Sequence, residues 1–249
     1  MACFLFLVYY LDEPLKPDQI IEIRNLTFEY PNGHSALRDI SLTVKAGEKI
    51  ALIGQNGAGK STFLLQLNGI LQGSGEILIA GLPVKKQFLK QVRAMVGLVF
   101  QSPDDQLFSP TVFDDVAFGP IYMGLPESEI QQRVSQALQD VEMAGFSERI
   151  TYHLSMGEKK RIAIATVLAM QPEILVFDEP TAGLDPRARR NLIRLIERLP
   201  QTLIVATHDL DFARRSFSRV ILMNHGQIIA DGCPEEILNN AVLLEEQGL

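Results

Sequence analysis

Cysteine is scarce: Cys3 and Cys233 are the two in 249 residues. That is too few for a disulfide framework, and neither has a second cysteine or a histidine at metal-ligand spacing. A reducing compartment is implied. Basic charge is also in short supply, with Lys and Arg totalling 23 against 30 Asp and Glu for a formal charge of −7. A broad basic face for a phosphate backbone is therefore missing, which argues against nucleic acid as a partner. Long apolar runs are lacking too. The longest, Met1 to Leu11, falls short of the ~20 residues a bilayer-spanning helix needs. It has no leading charge and runs into Asp12, Glu13 and Pro14, unlike a secretory signal. Residues 1–19 are expected to form an N-terminal appendage, an upstream start or a loosely docked tail, because a membrane-surface anchor would carry a basic polar face. No internal repeat or low-complexity segment occurs, which excludes tandem duplication.

What is present suits a globular domain with a large core, at 47% hydrophobic and 21% charged residues. Short apolar runs alternate with helical patterns, the mark of an α/β fold with a mostly parallel sheet. Ile20 to Glu29 and Ser41 to Val44, around the turn Pro31-Asn32-Gly33, predict an antiparallel β portion. Strands are expected at Lys49–Ile53, Val96–Phe100, Ile174–Phe177 and Thr202–Ala206, with a closing hairpin at Val220–Met223 and Gln227–Ala230. Helices are expected from Ser61 to about Gly69, from Glu158 to Met170 and from Pro186 to Leu199. Gln101 to Thr151, rich in Gln and Glu, reads as a helical subdomain inside one domain that spans residues 20–249.

Gly54-Gln55-Asn56-Gly57-Ala58-Gly59-Lys60-Ser61 matches the phosphate-binding pattern G-x-x-x-x-G-K-[ST] between a strand and a helix. Glycines let consecutive backbone N–H groups curl around phosphates, the helix presents its positive end, Lys60 reaches the outer phosphates, and the Ser61 hydroxyl suits Mg²⁺. The nucleotide-contacting run extends to Thr62. Ile174 to Phe177 deliver Asp178 and Glu179 at a strand's carboxyl end, where ligands bind in such sheets. Asp178 is the expected Mg²⁺ ligand, and Glu179 the group that polarises the attacking water.

Between these elements stands Leu154-Ser155-Met156-Gly157-Glu158, and here the chain resembles the ATP-binding-cassette (ABC) ATPases, whose LSGGQ-type signature it matches as LSMGE. Tyr30, the phosphate loop, Gln101, the signature, Asp178-Glu179, the turn Ala182-Gly183-Leu184-Asp185 and His208 follow in that family's order. The resemblance implies a P-loop NTPase fold of the ABC type, with ATP and Mg²⁺ as ligands. It also implies that Tyr30 stacks on adenine, that Gln101 contacts Mg²⁺ and the attacking water, and that His208 contacts the γ-phosphate. Ser155, Gly157 and Glu158 would touch the nucleotide of a second copy. Met156 and Glu158 depart from the usual Gly and Gln. Ser155 and Gly157, expected just ahead of the helix, retain the hydroxyl and close backbone N–H that a phosphate needs.

Gln101 to Pro120, with Glu158 to Arg161 and Ala163 to Met170, is similar to the ATPases of energy-coupling-factor importers, including cobalt and nickel uptake systems. That likeness implies a subunit that hydrolyses ATP as a homodimer or with a related paralogue. It would sit peripherally on the cytoplasmic face of the cell membrane, against an integral membrane coupling subunit and a substrate-binding membrane subunit. Cobalt or nickel is the favoured cargo. A vitamin-specific system, another ABC importer or exporter, and a soluble ABC ATPase are the alternatives. Gln101 to Gly124 is the expected contact surface, with Asp104, Asp105, Asp114 and Asp115 either facing basic partner residues or solvated.

Overall fold

A computed structural model describes residues 19–249. The apolar run at Met1 to Leu11 lies outside the described residues, and Gln19, assigned above to the appendage, opens the first strand. That strand, β1 (Gln19–Glu29), pairs antiparallel with β2 (Ser35–Lys45) across the Pro31-Asn32-Gly33 turn. β2 begins well before the expected Ser41. Asp39 adopts a left-handed φ of 51° and the register shifts between the pairs Leu26–Ile40 and Phe28–Leu37. This bulge breaks the period-two alternation and conceals the first half of the strand from a pattern reading.

Two further strands, β4 (Ser74–Ile79) and β5 (Leu82–Pro83), complete a sheet in the order β2-β1-β4-β5. Neither strand stands out in the sequence. Their signal is short: Ile77, Leu78 and Ile79 between Gly75 and Gly81.

The larger sheet holds β3 (Lys49–Ile53), β6 (Val96–Val99), β7 (Ile174–Asp178), β8 (Thr202–Ala206), β9 (Arg219–Asn224) and β10 (Gln227–Gly232), in the order β10-β9-β3-β8-β7-β6. Every pairing from β9 to β6 is parallel, and β10 returns antiparallel. From β9 to β6 its strands read as apolar runs because both faces are covered, whereas the edge strand β10 has no buried residue. Ala51, Ile53, Leu175, Phe177, Leu203 and Val205 point into one core, while Ile50, Leu52, Ile174, Val176, Ile204 and Ala206 point into the other. Burying each larger side chain of this kind contributes about 1.5–3 kcal/mol.

On the second face the smaller sheet closes over α1 (Lys60–Leu67), whose Phe63, Leu64 and Leu67 are buried between the layers, and α2 (Leu89–Met95) leads into β6. The first face carries α3 (Val112–Met123), α4 (Glu127–Asp140), α5 (Met156–Leu168) and α6 (Pro186–Arg198). Three short helices finish the chain: α7 (Leu210–Ser216), α8 (Pro234–Leu238) and α9 (Ala241–Glu246). α5 starts at Met156, two residues ahead of the expected Glu158, because Ser155 already caps it.

One acid of the 101–124 segment is committed within the chain. Asp115, 3% exposed, accepts from Phe108 N, Ser109 N and the Thr151 hydroxyl at 3.0, 2.9 and 2.9 Å. Asp104 pairs with Lys159 at 2.6 Å, and Asp114 accepts from the Thr111 hydroxyl at the start of α3. Asp115 is thereby withdrawn from any partner-facing acidic surface, since a buried carboxylate is spent on local donors, whereas Asp104 and Asp114 remain exposed.

Candidate active site

Four strands adjacent in the larger sheet deliver residues past their carboxyl ends, and backbone register aligns them. Leu52 of β3 pairs with Ala206 of β8, and Ala206 pairs with Asp178 of β7. Val99 of β6 pairs with Phe177, so Gln101 emerges beside the two acids. Open parallel sheets collect ligands at this edge.

A cavity of about 260 Å³ opens there. Tyr30, Asn56, Gly57, Gly59, Lys60, Ser61, Thr62, Gln101, Asp178, Glu179 and His208 line it, as do His34 and Ala36, which the sequence did not single out. Gly54, Gln55 and Ala58 support the loop from outside the lining. The Gly54 and Gln55 carbonyls accept from Lys60 Nζ at 2.7 and 3.0 Å, and the buried Ala58 gives its carbonyl to Gly226 N at 2.9 Å.

Backbone geometry requires glycine at two loop positions. At Gly54, φ is 152° and a Cβ would stand 2.2 Å from the Met223 carbonyl oxygen; at Gly59, φ is 103° and the Ala36 carbonyl oxygen would be 2.6 Å away. Gly59 also serves as the N-cap of α1, with no side-chain cap and no acid in the first turn. The positive end of that helix is thus left to an outside anion. α5, α6 and α7, by contrast, are capped by Ser155, Asp185 and Asp209.

Lys60 is 6% exposed, and its Nζ lies 4.0 Å from Glu179 Oε1. Burial lowers its pKa from the ordinary lysine value, against the pull of Glu179 and Asp178. Burial likewise raises the Asp178 carboxyl, while a hydrogen bond from the Ser61 side chain opposes the shift. Asp178 Oδ1 and Glu179 Oε1 are both buried without a hydrogen-bond partner. An unsatisfied buried oxygen costs about 1–3 kcal/mol, so the pair favours a cation. The Ser61 hydroxyl, the Asp178 carboxylate and the Gln101 amide oxygen are hard donors that fit Mg²⁺.

Glu179 is aimed by its backbone. Its φ is 44°, left-handed for a residue with a Cβ, a conformation that costs of order 1–3 kcal/mol. Glu179 N donates to Ala206 O at 2.9 Å, which locks the turn onto β8. Glu179 Oε2 lies 2.8 Å from His208 Nδ1 and accepts from His208 N at 3.4 Å. The His208 ring therefore rests on the catalytic candidate itself, a partner that the family resemblance did not specify.

At the mouth, Tyr30 hydroxyl and Thr62 Oγ1 are 2.9 Å apart, and the Tyr30 ring lies near-parallel to that of His34, centroids 6.4 Å apart. His34 belongs to the β1–β2 turn, where Tyr30 N donates to its carbonyl at 2.9 Å. Pairing across that hairpin, invisible in a linear reading, puts the second ring beside the first.

Ser155, Gly157 and Glu158 do not line this cavity. They form the start of α5, where Glu158 Oε2 accepts from Ser155 N and the Ser155 hydroxyl at 2.8 and 2.7 Å, closing a capping box. Those hydrogen bonds hold the Glu158 carboxyl below its ordinary pKa. The acid in place of the usual Gln thus has a structural use. Met156 beside it is 44% exposed. One further residue went unassigned in the sequence: Lys160 of α5, whose Nζ donates to Gln101 O and Glu179 O at 3.1 and 3.3 Å.

A phosphate-cradling loop that opens an uncapped helix, with a strand's acidic end across from it, belongs to the P-loop nucleotide hydrolases. The model of the ABC transporter domain matches residues 37–182, and the chain belongs to this family of ATP-hydrolysing transport ATPases. It is 49% identical over 236 residues to the energy-coupling factor transporter ATP-binding protein EcfA of Methanothermobacter thermautotrophicus, covering 92% of this chain and 76% of that one. Among solved structures it is similar to cbiO1 of Clostridium perfringens, part of the ABC transporter complex cbiONQ, at 40% identity and a TM-score of 0.81 over 92% of this chain and 94% of that one. It is also similar to the cassette MJ0796, solved as a dimer bound to ADP and Pi, at 27% identity and a TM-score of 0.77 over 86% of this chain and 98% of that one. The chain is thus an ABC ATPase of the energy-coupling-factor type. Among the described residues no helix is long and apolar enough to cross a membrane.

Proposed function

We propose that this ATPase hydrolyses ATP as a dimer, each site completed by the other copy's Ser155, Gly157 and Glu158, and that it powers uptake of cobalt or nickel. The observation that carries the dimer is the separation within one chain: the phosphate loop lines an open cavity, while the signature stands elsewhere on an exposed, capped helix start. The dimeric form of MJ0796 supports the pairing.

In this reading Tyr30 holds the adenine face, the loop amides of Gly57 to Thr62 and the ammonium of Lys60 hold the phosphates, and Ser61, Gln101 and Asp178 hold Mg²⁺. Bound Mg²⁺ would neutralise charge on the phosphate oxygens. Gln101 orients the attacking water through its amide. Glu179 draws a proton from that water as it attacks the γ-phosphorus and the bond to ADP breaks. His208 steadies the carboxylate through Nδ1 and reaches the γ-phosphate with the far side of its ring.

Closure on ATP and release on hydrolysis then convert chemistry into a mechanical cycle. The receiver is an integral membrane coupling subunit, itself joined to a substrate-binding membrane subunit, with this chain on the cytoplasmic face. A mainly apolar groove bordered by Lys90, Arg93, Phe118, Tyr122, Met123 and Met170 is the seat for the coupling subunit. Phe118 and Tyr122 there are 54% and 62% exposed. Membership of the related cbiO1 in an ABC transporter complex supports a membrane partner.

Mg²⁺-dependent hydrolysis is expected to rise more steeply than in proportion to protein concentration, because a working site needs two chains. Activity strictly proportional to concentration in a protein shown by sedimentation to be monomeric would reject the shared site. For the cargo, cells with this chain are expected to accumulate labelled cobalt or nickel faster than cells without it. Unchanged metal uptake alongside a lost vitamin would move the cargo and leave the ATPase in place.

A further inference from the structure

Lys160 is a buried ammonium, 5% exposed, on the helix that starts with the signature. Lys159 and Arg161 flank it in sequence, but one turn further along α5 the same face is apolar, with Ala163 and Ile164 both buried. Charge in such surroundings is costly unless donors find acceptors. Burial pulls its pKa down to about 8, with Glu179 and Asp178 acting in the opposite direction.

Its two acceptors are backbone carbonyls from separate segments, Gln101 O at 3.1 Å and Glu179 O at 3.3 Å. α5 is tied to the 101–106 segment in other ways as well. Lys159 Nζ meets Asp104 Oδ1 at 2.6 Å, and Gln106 Nε2 donates to Ala163 O and Thr166 Oγ1 at 2.7 and 2.8 Å. Those ties reach one segment. Lys160 reaches that segment and the strained peptide of Glu179, whose φ of 44° needs support from outside.

We propose that Lys160 is a positioning residue for hydrolysis: by holding the Gln101 and Glu179 carbonyls together it sets the water-orienting amide and the catalytic carboxylate relative to α5, and so links the signature end of that helix to the chain's own site. The inference rests on the roles given above to Gln101, Glu179 and Ser155. Without the ammonium, the Glu179 peptide loses one of its restraints, and the carboxylate drifts from the water. The hydrogen bonds of Lys160 go to Gln101 and Glu179 and none to the phosphate loop, so nucleotide binding is spared. Methionine fills the same apolar space without a charge to desolvate, so folding is spared as well.

The test compares Lys160→Met, Lys160→Arg and Glu179→Gln in the full chain, by steady-state hydrolysis against ATP concentration and by thermal unfolding. Lys160→Met is expected to lower kcat about 10- to 100-fold, the scale of a small misplacement of reacting groups. Its KM for ATP is expected to stay within about twofold, its unfolding midpoint not to fall, and its Hill coefficient to drop towards unity as the two sites uncouple. Lys160→Arg, which keeps charge and donors, is expected to retain most of the rate and the cooperativity. Unchanged kcat and Hill coefficient in Lys160→Met would overturn the inference. So would a lost rate that follows a lowered unfolding midpoint without rescue by Lys160→Arg. An active Glu179→Gln protein would remove the site reading beneath it, whereas an inactive Glu179→Gln beside a fully active Lys160→Met would remove the role of Lys160 alone.

Discussion

Glu179→Gln is expected to lower ATP hydrolysis about 10²–10⁴-fold, the range associated with losing a general base, while ATP still binds and a closed dimer accumulates. The substitution keeps the side-chain length and the backbone turn. A glutamine oxygen can still accept from His208 N, as Glu179 Oε2 does now at 3.4 Å. What disappears is the negative oxygen that accepts a proton, together with the anion 4.0 Å from Lys60. The phosphate loop does not depend on that carboxylate, because Lys60 is also held by the Gly54 and Gln55 carbonyls. Binding by calorimetry, phosphate release and sedimentation with ATP and Mg²⁺ together check the prediction. A Glu179→Gln protein fully occupied by ATP yet monomeric would contradict the dimer, and one with undiminished turnover would contradict the base.

Lys60→Ala is expected to act one step earlier, weakening ATP binding itself by about 10- to 100-fold, since a hydrogen bond to a charged group is worth about 1.5–3 kcal/mol. The loss has two parts. The ammonium no longer meets the outer phosphates, and Asp178 and Glu179 lose one of the two lysines that act on them. A polyphosphate then approaches two acids whose remaining neighbouring lysine is Lys160. Equilibrium titration with ATP, with and without Mg²⁺, measures the change. Wild-type affinity in Lys60→Ala would show that the phosphates sit elsewhere. The two variants thus separate binding from chemistry: one keeps nucleotide and cannot turn over, the other loses nucleotide.

Much of the sheet was legible because its strands are short apolar runs covered on both faces. β3 and β8 occupy the stretches expected for them, Lys49–Ile53 and Thr202–Ala206. The reading fell short where a local irregularity broke the pattern or an element was brief. The bulge at Asp39 obscured the start of β2, and β4, β5, α2 and α7 were passed over. α7 is only seven residues long, and its clue was Asp209, which caps it by accepting from Phe212 N at 3.0 Å. A carboxylate cap followed by so short a run carries little periodicity to detect.

The site shows the same division. By itself the sequence determined the contiguous pieces: the loop from Gly54 to Ser61, the helix it opens, the strand that ends in Asp178 and Glu179, and the signature at Ser155 to Glu158. Their geometry follows from neighbouring φ/ψ preferences, helix ends and strand period, all of which act over a few residues. Only the tertiary structure decided that His208 leans on Glu179, that His34 lies alongside Tyr30, that Asp115 is an internal cap, and that Lys160 joins Gln101 to Glu179. It also decided that Ser155 stands apart from Lys60 within one chain. Apart from Tyr30 and His34, which one hairpin turn brings together, these arrangements join residues distant in sequence, and they are set by sheet order and by how the helical layer packs, which no local propensity encodes.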